Sequence, residues 1–140
     1  MMIERKVRDK IVDIASINSD RIFFGRGLRG QKAPYITVEK TSAERMNTLD
    51  GADGVVLSTF QVSAFDDEYV KAKVLAESVY SLQDHRDSDI KAIHFGTESD
   101  LVDDDERMFG VVMEFDVRHR EMAYQEPEEE NGNEEENEET

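Results

Sequence analysis

The chain is predicted to fold as a single α+β domain, one antiparallel sheet of about five strands with two helices packed on one face, followed by a disordered acidic tail. Three observations carry that prediction. Within 54–82, GVVLSTFQVSAFDDEYVKAKVLAESVYSL, a period-2 pattern changes to a period-3.6 pattern, so a strand feeds directly into an amphipathic helix. The segments around it alternate turn chemistry with short β-branched and aromatic runs. Residues 126–140, EPEEENGNEEENEET, hold nine carboxylates, no base and no apolar residue, so burial cannot offset the entropy of ordering them. The domain is therefore 1–125 and the tail 126–140.

In chain order, Ile3, Val7, Ile11 and Ile14 recur at spacings of four, four and three and predict a first helix of roughly 13 residues. A brief strand follows at 21–24. The segment GRGLRGQKA, 25–33, has three glycines and three cations and reads as a loop that docks on an acidic protein surface. Pro34 opens a strand over 35–41, where Ile36 and Val38 alternate with Thr37 and Glu39. It pairs, through a long connection, with the central strand, whose apolar side carries Val56, Phe60, Val62 and Ala64 with Ser58 as its polar break. Asp66 is the expected N-cap of the central helix, and Phe65 and Val70 the expected hydrophobic staple. Ala72, Leu75, Ala76, Val79 and Leu82 form its buried stripe. A short strand over 90–95, an acidic solvated loop over 96–106 and a closing strand over 108–118 complete the sheet.

Composition narrows the function classes. The net charge is −16, but the tail supplies nine of the acids, leaving 17 basic against 24 acidic residues, or −7, for 1–125. An acidic body with scattered cations is a poor grip for phosphate backbones. There is no cysteine, which removes disulfides, thiolate nucleophiles and zinc–cysteine sites. No stretch approaches a membrane span and the start, MMIERKVRDKIVDI, is charged, so a soluble protein made in the cytoplasm, without membrane contact, is expected.

Catalytic or metal chemistry has no motif here. His85, His94 and His119 lack the spacing that places two ligands on one helix face, and no serine has the glycine-flanked setting of a hydrolase nucleophile. The 25–33 loop fits neither a P-loop nor a dinucleotide fingerprint, and the acids of 96–106 lack the EF-hand arrangement. No catalytic, cofactor or metal residue is assigned.

The order of these elements, with FFG ending the first strand, PYITVEK, the strand–helix unit FQVSAFDDEYVKAKVLAESVYSL and the closing MFGVVMEFDVRH, resembles the tail-completion, or tail-terminator, family of tailed bacteriophages over 3–120. Pro34, Tyr35, Gln61, Val62, Ala72, Ala76 and Phe115 carry the resemblance; the tryptophan common before the central helix is missing, and Phe65 stands near its place. The resemblance implies a non-enzymatic virion subunit that forms a homo-oligomeric, hexameric ring at the head-proximal end of the tail tube. It further implies that the ring stops tube growth, meets the tube protein and the head connector or stopper, and passes DNA without specific binding. Like charge lining such a channel repels phosphates. Two alternatives stand beside it: a small cytosolic α+β enzyme or nucleotide-handling protein, and an acidic module that mimics DNA. Expected interface residues are Arg26, Arg29 and Lys32 in the cationic loop, and Val55, Leu57, Met108 and Val112, apolar on the strand faces opposite the main apolar rows.

Overall fold

In the computed structural model, which describes residues 2–25, 31–48 and 51–121, helix α1 spans Ile3–Ile14 and buries Ile3, Val7 and Ile11 as their spacing requires. A 3-10 turn, Ser19–Arg21, leads into β1, Ile22–Phe24. The long hairpin of β2 (Tyr35–Thr48) and β3 (Gly51–Asp66) is followed by α2 (Tyr69–Glu77) and a second 3-10 turn, Tyr80–Asp84. A second hairpin, β4 (Ile90–Asp103) and β5 (Met108–Arg120), closes the fold. The strands lie side by side in the order β1-β2-β3-β5-β4.

The α+β class, five strands and two helices on one face agree with the sequence reading. The sheet is mixed, however, because β1 runs parallel to β2, with Ile22 opposite Ile36 and Phe24 opposite Val38. The other pairs are antiparallel.

The β2–β3 hairpin reaches Thr48 and Gly51, well past the predicted ends, so its connection is short. Residues 41–45 are exposed on both faces, and a strand with no buried face leaves no alternation to read. β4 likewise runs on through 96–103, which had been expected to be loop, before the turn at 104–107, where Arg107 takes a φ of 54°. At the start of α2 the capping expectation fails. β3 extends through Asp66, whose carboxylate accepts the Glu68 amide at 3.3 Å, and Val70 is 69% exposed, so no staple forms. The stripe itself is correct: Ala72, Leu75, Ala76, Val79 and Leu82 are all buried. The helix breaks after Glu77, but the three-residue turn of the 3-10 segment keeps Val79 and Leu82 on the same side.

Between helices and sheet lies one core: Ile36 and Val38 from β2, Phe60, Val62 and Ala64 from β3, Val111, Met113, Phe115 and Val117 from β5, and Ile90 and Ile93 from β4. Register places these on a single face, for example Phe60 opposite Phe115 and Val62 opposite Met113. Phe95 stacks on Phe115 with centroids 4.8 Å apart and meets Tyr80 at 5.2 Å, which ties β4 to the 3-10 turn after α2. Each fully buried large side chain contributes about 1.5–3 kcal/mol. No described helix lies on the other face of the sheet, and no helix among the described residues is long and apolar enough to cross a membrane.

Candidate assembly interface

The helix-free face is not uniform. At one end a row of apolar side chains crosses the sheet. Phe23 of β1 meets Tyr35 of β2 edge-on at 6.2 Å, and Tyr35 stacks on Phe65 of β3 at 4.8 Å with 20° between the rings. Phe65 pairs in register with Gly110 of β5, and a Cβ on Gly110 would lie 2.7 Å from its ring. Opposite Gly110, on β4, stands the exposed Leu101. The missing side chain of Gly110 is thus the notch that seats Phe65. Burial pushes the Tyr35 phenol upward, so it stays neutral over the physiological range.

At the other end, Val55 and Leu57 of β3 are half-buried and face Arg120 and Arg118 of β5, both exposed. Between the two ends the surface is polar: Thr59 donates to Asp116 at 3.0 Å, and Gln61 stands opposite Glu114. The four apolar residues expected at an interface do share this face. They do not form one patch. Met108, 8% exposed, and Val112, half-buried, flank Gly110 in the apolar row, whereas Leu57 and Val55 sit six and eight strand positions from Ser63, the partner of Val112, or about 20 Å and more away. Of the expected cations, Arg26 and Arg29 lie outside the described residues; Lys32 is exposed, and its carbonyl accepts from the Arg21 guanidinium.

The fold is similar to that of a chain in the virion of a native gene transfer agent particle. The similarity has a TM-score of 0.58 at 14% sequence identity and covers 74% of this chain and 81% of that one. No protein-family profile matches the chain, and no curated protein sequence matches it.

On the helix side, α2 leaves Tyr69, Val70 and Val74 exposed, next to the exposed Val102 of β4. The acids that read as a loop are instead held on a strand. Lys73 bridges Glu98 at 3.3 Å and Asp100 at 2.5 Å, Tyr80 donates to Glu98 at 2.6 Å, and Tyr69 donates to Asp100 at 2.9 Å. The Lys73 ammonium beside it holds Asp100 below the usual carboxylate range, and Asp100 in turn raises Lys73. The bond to Glu98 pushes Tyr80 up to about 12. The signal in the sequence was present but easily missed: Glu98 and Asp100 alternate, as acids facing one side of a strand would, and Tyr69 and Lys73 are four apart on α2.

The histidines separate into different settings. His94 is exposed on the helix-free face, and His85 bonds Asp87 at 3.1 Å. Burial opposes the charge on Asp87, but the amides of Ile90 and Asp89 and the Lys6 ammonium, 3.0 Å away, outweigh it and hold the group well below the usual range. His119 is buried: its Nδ1 donates to the Arg120 carbonyl at 2.5 Å, which leaves Nε2 to accept from the Ser58 hydroxyl at 2.8 Å. Ser58, the polar break on the apolar side of β3, is there because its neighbour across the strand pair is a histidine end rather than a hydrocarbon.

Proposed function

We propose that this chain is a structural subunit of a phage-like virion and, within that class, a tail terminator. It would form a homo-oligomeric ring, hexameric by the resemblance, at the head-proximal end of the tail tube, with one surface for the tube protein and another for the head connector or stopper. DNA passes through the ring without sequence-specific contact, in keeping with the acidic body. The observation that carries the proposal is the fold similarity to a virion chain across 81% of that chain, in a sequence whose order of elements resembles tail terminators. A divided surface supports it as well: the helix-free face and the exposed flank of α2 present different chemistry, which a subunit meeting two partners requires.

Termination means that the last ring binds the tube end more tightly than another tube subunit does and then refuses further addition. Replacing Arg26, Arg29 and Lys32 together by Glu is expected to leave the fold intact and weaken docking through like-charge repulsion. Complementation of a virus lacking this protein then yields overlong tails or unjoined heads and tails. Joined, normal-length tails at wild-type yield with the triple variant discard the loop contact. Normal tails in particles with no copy of the protein discard the terminator reading.

A further inference from the structure

The sheet has an open backbone edge on each side. β1 covers β2 only as far as Val38, so among the described residues no strand lies along the outer edge of β2 from 40 onward. On the far side β4 is the terminal strand, and among the described residues no strand lies along its outer edge, although Asp87 takes both backbone groups of Ile90 at its start. Long open edges invite pairing with other chains and are usually blunted by charge or bulges. Both strands carry bulges, β2 between Lys40 and Ser42 and β4 between Phe95 and Thr97. β4 is also braced: the bonds from Lys73, Tyr69 and Tyr80 to Glu98 and Asp100 fix its outer half from the helix side and leave the edge itself clear.

The two sides differ in charge. Residues 1–50, which build α1, β1 and β2, hold 10 Lys and Arg against 7 Asp and Glu, a balance of +3. Residues 51–121, which build the rest of the sheet out to β4, hold 7 against 17, a balance of −10. The two edge segments differ in the same sense: 40–46 of β2 carries Lys40 and Arg45 against Glu44, whereas 97–103 of β4 carries Glu98, Asp100 and Asp103 with no base. That arrangement suits a head-to-tail contact, in which the surface of one copy meets a different surface of the next and the series closes into a ring.

We infer that the subunits join by strand addition, the β4 edge of one copy pairing with the 40–46 edge of β2 in the next. The directions agree. β2 and β5 run one way and β3 and β4 the other, so a neighbour in the same orientation sets its β2 antiparallel to β4. Seven residues of β4, 97–103, span about 23 Å, enough for several cross-strand hydrogen bonds. Because β4 is already held straight by α2, little ordering entropy is lost on pairing. The inference rests on the ring reading above and adds the contact that closes the ring.

The chain has no native cysteine, so pairs can be introduced without background. Ser42 and Glu44 of β2 and Thr97 and Ser99 of β4 are exposed and share the helix-free face. Full-length double variants, such as Ser42→Cys with Ser99→Cys, are assembled into particles and oxidised, with each single variant as control; cross-strand neighbours lie within disulfide reach. At least one of the four combinations is expected to convert most of the monomer band into a ladder ending at the copy number of the ring, while the single variants stop at dimers or below. Rings visible by microscopy with no combination bridged overturn the strand contact and leave the ring reading standing. A β2 cysteine that instead bridges to one placed within 126–140 assigns that edge to the acidic segment and also overturns it. Particles without any ring remove both.

Discussion

Ser58 and His119 show how a single polar pair survives in an apolar layer. The Ser58 hydroxyl and the Arg120 carbonyl satisfy both ring nitrogens of a neutral His119, and burial holds its pKa below the ordinary histidine value. Lys40 on β2 adds to the depression, and Glu4 on α1 and Glu121 oppose it. The unfolded chain takes up a proton as pH falls below about 6.5, while the folded chain resists until a lower pH, so stability falls with pH below that point. Denaturant titrations between pH 7 and 5 are expected to show this loss in the wild type and a flatter profile in a Ser58→Ala, His119→Phe double variant. A second residue-scale test lies at Gly110. Alanine there meets the Phe65 ring and is expected to cost about 1–3 kcal/mol, whereas Gly110→Ala combined with Phe65→Ala recovers part of the loss in chemical denaturation.

Among the elements, β4 is where sequence and structure diverge most. A run containing Glu98, Asp100, Asp103, Asp104 and Asp105 looks like solvated loop because acids are poor strand formers, and nothing local announces that a lysine 25 positions earlier neutralises two of them. What makes 97–103 a strand is tertiary. Lys73→Met is therefore expected to leave the melting temperature almost unchanged, since the clamp is solvent-exposed, while amide hydrogen exchange across 97–103 speeds up. Equal exchange in both proteins would show that the strand holds without the clamp. Elements that bury one face were legible: the α1 spacing of Ile3, Val7 and Ile11, the α2 stripe and the alternation of β5 each fell where the pattern put them. The hairpin end at 41–48, with no buried face, and the parallel seat of β1 have no local pattern to reveal them. The aromatic row was half visible. Phe65 stands out in the sequence as an aromatic near the helix, but its partner Tyr35 is 30 residues away, and nothing local marks the bare Cα of Gly110 as a seat.

At the scale of the whole molecule, the residues that build the core all lie within 3–117, so removing 126–140 is expected to shift the melting temperature by no more than about a degree or two. A larger drop in a calorimetric comparison would mean that the acidic segment packs on the domain. The lateral division of charge has a kinetic consequence. With a net positive 40–46 edge and a net negative 97–103 edge, incoming copies are turned toward the productive orientation before contact. That steering operates over roughly a Debye length, about 8 Å at physiological ionic strength, and fades as salt is added; the backbone hydrogen bonds formed afterwards are shielded from it. Ring formation followed by light scattering should therefore slow about tenfold or more between roughly 0.05 and 0.5 M salt, while rings already closed dissociate at nearly the same rate in both.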